Sequence, residues 1–137
     1  MSYLVDTSVL LELVRSRPAR SVVRWFQGAP ESTLYVSVLT LGELRSAVEA
    51  TTLVGKRREK VRAWLEHELP ERLGERLLPV SLAVAERWGR LVAESDGPAP
   101  AIESLLGATA LTHGLRVVTR NKREFRFAGV EVVSPWD

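Results

Sequence analysis

The sequence predicts an α/β protein with a parallel sheet that helices cover on both faces. Short apolar segments typical of buried strands alternate with segments of helical periodicity along its 137 residues. Strands that alternate with helices form parallel sheets, because each crossover returns the chain to the same end of the sheet. The first strand also ends in a carboxylate, Asp6. Ligands of such folds bind outside the carboxyl ends of the strands, so Asp6 is the first candidate functional residue.

The N-terminal part predicts two strands, each followed by helix. Tyr3–Val5 is a short strand, and Ser8–Val14 follows as one or two helical turns. The segment Pro18–Gly28 reads as a helix, with proline at its first position and glycine at its end. The β-branched, apolar run Leu34–Val38 is a buried strand. Thr40–Glu43 fits a capping box, which predicts that the next helix begins there.

The middle of the chain predicts a basic helix over Lys56–Leu69 and a connection over Pro70–Gly74. A short strand follows at Leu77–Val80. Pro79 has no backbone N–H to donate to a neighbour, so this strand is expected at an edge of the sheet.

The C-terminal part completes the alternation. Ser81 begins a helix, and Asp96–Pro100 is a loop rich in glycine and proline. An alanine-rich helix over Ile102–His113 ends at Gly114, a favourable residue just past a helix end. Two further strands are predicted, at Arg116–Thr119 and Val130–Val133.

The composition bounds the class of protein. Residues 1–137 are expected to form a single domain, since this length suffices for one core. The absence of cysteine excludes disulfides, cysteine-ligated zinc and thiol catalysis, and it fits a cytoplasmic location. The apolar start has no basic segment before it, and no later segment is long enough to cross a membrane. We therefore expect neither a signal peptide nor a membrane partner.

The formal net charge is only +2, yet the basic residues form two clusters. Basic clusters are the electrostatic footprint of a polyanion, although a solvated helix face is the plainer explanation for one alone. The second cluster lies in sequence beside a candidate site residue, which favours function. The first consists of Lys56, Arg57, Arg58, Lys60 and Arg62, and the second of Arg116, Arg120, Lys122, Arg123 and Arg126.

Polar residues follow several of the predicted strands and begin several of the helices. Each has a structural explanation: a helix cap for Asp6 or Ser8, a capping box for Glu43, a helix dipole for Glu103, and a turn for Asn121. Their joint placement at one sheet edge favours a site. The candidates are Asp6, Glu43, Glu103, Asn121 and Glu124.

Clustered carboxylates repel one another, and a divalent cation relieves that repulsion. Mg²⁺ and Mn²⁺ prefer carboxylate and water oxygens, polarise phosphates and generate hydroxide from water. An acidic pocket beside Arg120, Lys122 and Arg123 is therefore suited to cleaving a phosphodiester. We expect those three residues to hold the flanking strand through its phosphates.

Four motifs, in order, resemble those of a PIN domain, and most closely the VapC-type toxins of bacterial toxin–antitoxin pairs. The match covers essentially the whole chain. The motifs are Leu4-Val5-Asp6-Thr7-Ser8, Thr40-Leu41-Gly42-Glu43-Leu44, Glu103-Ser104-Leu105-Leu106-Gly107-Ala108-Thr109-Ala110, and Val117-Val118-Thr119-Arg120-Asn121-Lys122-Arg123-Glu124-Phe125, followed by Ser134-Pro135-Trp136.

The resemblance implies a three-layer α/β/α sandwich and a Mg²⁺- or Mn²⁺-dependent endoribonuclease. With RNA as the substrate, we expect Arg120, Lys122 and Arg123 to contact the RNA strand, and we expect cleavage in an unpaired loop, where bases splay out. Asp6 and Glu43 match the first two acids of the family. Glu103 and Glu124 stand where the family usually has Asp, and Asn121 occupies the fourth position, which is often Asp. Asp6, Glu43, Glu103 and Asn121 are thus the expected catalytic residues, with Glu124 a further metal ligand and Thr7 and Ser8 in support.

The resemblance also implies a homodimer and a cognate antitoxin. The helices near Val9–Phe26 and Glu43–Leu65 carry many large apolar residues, and we expect an antitoxin segment to lie in a groove there.

Two other functions compete with the nuclease. Glu103 in place of Asp favours a catalytically weak PIN domain that acts as an antitoxin-binding or regulatory module. A phosphoacceptor signalling domain is disfavoured, because the second strand offers no Asp at Ser37-Val38-Leu39. His67 and His113 have no plausible nucleophile partner, so we expect both to be structural.

Overall fold

A computed structural model describes residues 1–50 and 53–137 and contains a five-stranded parallel sheet. The strand order is β3-β2-β1-β4-β5, so the first strand lies at the centre. Leu4 is in register with Tyr35 on one side and with Val117 on the other. The strands are β1 (Tyr3–Val5), β2 (Leu34–Ser37), β3 (Leu77–Leu78), β4 (Arg116–Val118) and β5 (Val132–Val133).

Helices connect the strands, and the sheet carries a separate apolar core on each face. Side chains of successive strand residues point to opposite faces. Leu4 accordingly packs with Val117 and Leu106 on one face, while Val5 packs with Val118, among others, on the other. The helices are α1 (Thr7–Leu13), α2 (Arg20–Gly28), α3 (Val38–Glu49), α4 (Gly55–Ala63), α5 (Leu69–Leu73), α6 (Leu82–Glu94) and α7 (Ala101–His113).

These two cores make the fold a three-layer α/β/α sandwich, as the sequence predicted. Residues of α1 to α5 pack in the first core, and α7 packs in the second, with α6 against it. The predicted edge position of β3 is confirmed, and Ser81 caps α6 by accepting a hydrogen bond from the Val84 amide at 3.2 Å. Gly114 ends α7 in the left-handed conformation, with φ of 66°. No helix in residues 1–50 or 53–137 is long and apolar enough to cross a membrane.

The capping box at Thr40–Glu43 was a wrong prediction. Helix α3 begins at Val38, and the Ser37 hydroxyl caps it by accepting a hydrogen bond from the Leu39 amide at 3.1 Å. Glu43 therefore lies beyond the first turn, where its carboxylate has no capping role. Similarly, α2 begins at Arg20 rather than at Pro18.

The predicted connection at Pro70–Gly74 is largely helical, because α5 spans Leu69–Leu73. A π-helical turn over Trp64–Glu68 precedes it, and the Leu69 amide bonds to the Trp64 carbonyl five residues earlier. A π turn widens the helix locally, which makes room for a proline ring that would clash with a regular preceding turn. Pro70 therefore does not end the helix.

The revised start of α3 gives a test by two substitutions. We expect Ser37→Ala to lower the free energy of unfolding by about 1 kcal/mol, since it removes the helix cap. Thr40→Val should leave stability unchanged or raise it, because the buried Thr40 hydroxyl has no hydrogen-bond partner in the described part of the chain. Urea unfolding of both variants measures the difference. A larger loss for Thr40→Val than for Ser37→Ala would restore the capping box.

Candidate active site at the carboxyl edge of the sheet

Asp6 stands at the end of the central strand, and hydroxyl groups hold its side chain. The Asp6 amide extends the sheet by donating to the Val118 carbonyl at 2.9 Å. One carboxylate oxygen, Oδ2, accepts hydrogen bonds from Ser8 at 2.8 Å and from Thr119 at 2.7 Å. The side chain makes no capping bond to α1, so the capping explanation for Asp6 is wrong. Only 8% of this residue is exposed.

Thr119 is the functional candidate that the sequence analysis missed. It follows β4, the neighbour of β1, and it is fully buried. Besides donating to Asp6, its hydroxyl accepts the Asn121 amide at 3.0 Å, while Ser8 accepts the Arg120 amide at 3.2 Å. The sequence shows a threonine at the end of a buried strand, but it does not show that this strand pairs with the one that ends in Asp6. These hydroxyls join the two strand ends and fix the orientation of the Asp6 carboxylate.

Glu43 reaches the same edge from α3. The Thr7 hydroxyl donates to its Oε1 at 2.6 Å, which ties α1 to α3. Burial raises the pKa of Glu43 above its usual value, and the charges of Asp6 and Glu124 raise it further, while the Thr7 hydrogen bond opposes the shift.

Glu103 lies in the first turn of α7. A helix N-terminus favours negative charge, yet burial outweighs it here and raises the pKa of Glu103. The neighbouring charges of Glu124 and Glu43 raise that pKa further. The Glu103 Oε2 atom is enclosed and has no hydrogen-bond partner within residues 1–50 and 53–137.

The turn after β4 contributes Asn121 and Glu124, both exposed. A 3₁₀ turn spans Lys122–Phe125, and the Asn121 carbonyl accepts the Glu124 amide at 3.1 Å. The Asn121 backbone thus acts as a turn residue, as one of the two alternatives for it predicted. Glu124 is close enough to raise the pKa of both Glu43 and Glu103.

The carboxylates therefore come together, although they do not form a closed ligand shell. Asp6, Glu43, Glu103 and Glu124 share one electrostatic environment. Among the described residues, however, no three His, Asp or Glu side chains are arranged tightly enough to hold a metal ion. Glutamate side chains have several rotatable bonds, so Glu43 and Glu103 would approach a bound cation by a change of rotamer.

A hard divalent cation fits this donor set. All the candidate donors are oxygens, and Mg²⁺ and Mn²⁺ favour such donors. The enclosed, unpartnered Oε2 of Glu103 has an unfilled need for a proton or a cation. A proton or a cation would also relieve the repulsion that contributes to the raised pKa values of Glu43 and Glu103.

The three predicted RNA-binding residues lie beside this site, and their neighbouring side chains differ. The Arg120 guanidinium lies over the Trp136 ring, 5.3 Å from its centre. Lys122 forms an ion pair with Asp137. Arg123 is exposed and, together with Glu124, lines a cavity of about 590 Å³.

The first basic cluster lies elsewhere, on α4. Lys60 stacks over Trp64 at 5.6 Å from the ring centre, and Arg58 and Arg62 are half-buried. His67 and His113 are both exposed, in the π turn and at the end of α7. Neither histidine is among the groups that shift the pKa of Glu43 or Glu103.

A second cavity, of about 370 Å³, is an apolar groove on the face covered by α1 to α5. Leu10, Phe26 and Leu69 line it, among other apolar side chains. At its rim Arg72 pairs with Glu31 at 3.0 Å. Of the two ranges predicted for partner binding, Val9–Phe26 lines the groove and Glu43–Leu65 contributes Trp64, while α5, outside both ranges, forms another part of the lining. Residues 51–52 of the second range fall outside the described residues.

Comparison with known proteins agrees with this architecture. Residues 3–130 match the PIN domain family. The VapC ribonuclease Y4jK of Sinorhizobium fredii is 34% identical over 136 residues, which cover 97% of this chain and 96% of that protein. The toxin FitB of Neisseria gonorrhoeae is 33% identical over 136 residues, covering 97% of each.

Solved structures extend the likeness to three dimensions. The crystal structure of FitAcB from Neisseria gonorrhoeae has a TM-score of 0.86 at 31% identity and covers 98% of both chains. A toxin–antitoxin complex from Klebsiella pneumoniae has a TM-score of 0.69 at 25% identity and covers 99% of both. The chain belongs to the PIN domain family, and its resemblance to VapC-type toxins is confirmed.

The raised pKa values of Glu43 and Glu103 predict a pH-dependent stability without metal. An acid whose folded pKa lies above its unfolded value binds more protons in the folded state, so stability falls as pH rises from about 4.5 through the folded pKa. Glu103→Gln removes one of these charges. We expect its melting temperature, relative to that of wild type, to rise with pH across this window in EDTA.

The matched control is Glu86→Gln, which removes a carboxylate from the exposed surface of α6, outside the acidic cluster. It should show no such trend. The melts run from about pH 4 to about pH 8, a range that extends upward from the usual carboxyl pKa. If the melting temperatures of the two variants change with pH in the same way, the carboxylates at the site do not repel one another.

Proposed function

We propose that this protein is a divalent-metal-dependent endoribonuclease, the toxin of a toxin–antitoxin pair. The observation that carries the proposal is the buried Asp6 at the end of the central strand, held by two hydroxyls and surrounded by glutamates with raised pKa values. The relatives support it, because one is named a VapC ribonuclease and another the toxin FitB. With RNA as substrate and no cysteine in the chain, we place it in the cytoplasm.

Asp6, Glu43 and Glu103 would hold Mg²⁺ or Mn²⁺, with Asn121 or Glu124 acting directly or through water. When bound, such an ion polarises a phosphate and lowers the pKa of water. Ser8 and Thr119 orient Asp6, and Thr7 holds Glu43 toward it. The carboxylates exclude the negatively charged substrate until a cation compensates them, which makes RNA binding and metal binding interdependent.

The substrate that fits this edge is a single strand or a loop of structured RNA. A compact acidic pocket accommodates one backbone more readily than a duplex, and sequence-specific RNA recognition mostly targets unpaired bases. Arg120, Lys122 and Arg123 adjoin the site and would position the strand through its phosphates.

A cognate antitoxin would occupy the apolar groove, and a homodimer is the proposed assembly. The groove has the apolar lining that an amphipathic partner helix requires. The structural relative from Klebsiella pneumoniae was solved as a toxin–antitoxin complex, which supports this partner.

A second candidate is a catalytically weak domain that binds its antitoxin and has little nuclease activity. Two observations favour it: Glu103 stands where relatives of the PIN type usually have Asp, and no closed ligand shell is formed by the described residues. The two candidates differ in one outcome, the cleavage of RNA by protein freed from antitoxin.

Substitution of Thr119 tests the proposed nuclease. Thr119 orients Asp6 and is not itself a proposed metal ligand, so its loss should lower the rate of cleavage without abolishing it. Thr119→Val removes the hydroxyl and keeps the shape, and we expect it to lower metal-dependent RNA cleavage by roughly 10- to 100-fold, as outer-shell partners do. Thr119→Ser keeps the hydroxyl and should retain most activity. The assay maps new RNA ends with Mg²⁺, with Mn²⁺ and in EDTA.

Asp6→Asn is the negative control in the same assay and should abolish metal-dependent cleavage. Cleavage by wild type that survives EDTA, or that Asp6→Asn leaves intact, would contradict the proposed chemistry. No cleavage by wild type with either ion would favour the catalytically weak domain.

The antitoxin groove is tested by Phe26→Ala, which removes a half-buried ring from its lining. We expect affinity for the cognate antitoxin to fall by about 2 kcal/mol, roughly thirtyfold, the range of an interface hot spot. Leu82→Ala is the matched control, since Leu82 is 80% exposed on α6 and does not line the groove. Equal affinities for both variants in calorimetry would place the antitoxin on another surface.

A further inference from the structure

The cavity of about 590 Å³ beside the acidic site contains four arginines, two from each of two walls. Arg87 and Arg90 come from α6, one helical turn apart, so both lie on the same helix face. Arg123 and Arg126 come from the segment after β4, on and directly after its 3₁₀ turn. The two pairs are distant in sequence, and the packing of α6 on α7 brings them together.

The four guanidinium groups are available to a ligand. All four residues are exposed, and in residues 1–50 and 53–137 none forms an ion pair within 4.0 Å. Three carboxylates, Glu94, Asp96 and Glu124, also line the cavity, so the arginines exceed them by one charge. Glu124 is shared with the acidic site, where a cation would compensate it.

The other basic residues near the site, unlike these four arginines, already interact with neighbouring side chains. Arg116 pairs with Glu131 at 2.7 Å, Lys122 pairs with Asp137, and Arg120 lies over Trp136. Of the second basic cluster, Arg123 and Arg126 are the ones that line this cavity. The free positive charge therefore begins at Arg123, one of the residues expected to bind RNA, and extends through Arg126 to the wall formed by α6.

The cavity also has an aromatic surface. Phe127 is half-buried and lines it together with Leu91 and Leu111. The Phe127 ring packs closely on α7: a Cβ atom placed on Gly107 would lie 3.1 Å from the ring. A basic groove that includes an aromatic side chain is the usual arrangement for single-stranded nucleic acid, because phosphates bind the cations and a base stacks on the ring.

We infer that this four-arginine groove binds the backbone of the RNA strand on its way to the acidic site. The inference rests on the proposed function and adds a path to it. Arginine is suited to this role, since its planar guanidinium binds phosphate through two hydrogen bonds and stays charged. Glu124 marks the junction, because it lines the groove and also shifts the pKa of Glu43 and Glu103.

The test measures the salt dependence of RNA binding. Every protein carries Asp6→Asn, so that the probe, a fluorescein-labelled single-stranded RNA oligonucleotide, stays intact. Anisotropy at several KCl concentrations then gives the slope of log K against log [KCl]. We expect Arg87→Ala with Arg90→Ala to reduce the magnitude of that slope by about 1.4, or about 0.7 for each lost phosphate contact on a single strand.

Three further pairs make the result specific. Arg87→Lys with Arg90→Lys keeps the charges and should restore most of the slope. Arg20→Ala with Arg24→Ala removes two exposed arginines from α2 and should leave the slope nearly unchanged. Lys56→Ala with Arg57→Ala tests the basic helix α4 as a rival path and should also leave it nearly unchanged.

The outcomes separate this inference from the function on which it rests. If wild type cleaves RNA and the Arg87/Arg90 alanine variant keeps the slope of the Asp6→Asn parent protein, the groove is not the RNA path. If that variant loses affinity for an acidic peptide and not for RNA, the groove binds a protein partner. If wild type neither binds nor cleaves RNA with Mn²⁺ present, the proposed nuclease itself is wrong.

Discussion

The hydrogen bonds from Ser8 and Thr119 to Asp6 are the interaction on which the site depends. They join the ends of β1 and β4, the central strand and its neighbour, and they hold a buried carboxylate in one orientation. A buried carboxylate needs hydrogen bonds or a cation to remain ionised. The parallel sheet provides the position, and the two hydroxyls provide the partners. Glu43 and Glu103 approach this fixed point from two different helices.

The acidic edge therefore lowers the stability of the metal-free protein. Burial and mutual repulsion raise the pKa of Glu43 and Glu103, so ionising them without a cation costs stability. Functional sites often store unfavourable electrostatics that a ligand relieves. In this protein the relief would come from a divalent ion, and the gain in stability on binding would measure the repulsion.

Much of the fold could be predicted from the sequence, because the hydrophobic periodicity of a segment and the residues that begin and end it are features of the local sequence. Ser81 and Gly114 mark helix ends correctly, and Pro79 correctly indicates an edge strand. Ser37 shows the limit: the sequence predicted it inside a strand that continued to Val38, whereas β2 ends at Ser37 and the Ser37 hydroxyl caps α3. Pro70 was misread because the compensating π turn is not a pattern that sequence reveals.

The residues of the site also differ in whether the sequence could predict them. Asp6, Glu43 and Glu103 could be predicted as neighbours, since parallel topology brings strand exits to one edge. Thr119 could not be distinguished from an ordinary strand residue, because its role depends on the register between β1 and β4. The four-arginine groove needed the packing of α6 on α7, as Arg87 and Arg123 are remote in sequence.

Anomalous X-ray diffraction from crystals of the antitoxin-free protein grown with Mn²⁺ tests the metal site directly. We expect an anomalous peak among Asp6, Glu43 and Glu103, and its loss in crystals of Asp6→Asn. A wild-type map with no peak at that edge under saturating Mn²⁺, or with the ion bound elsewhere, would contradict the assignment of these acids as a metal site.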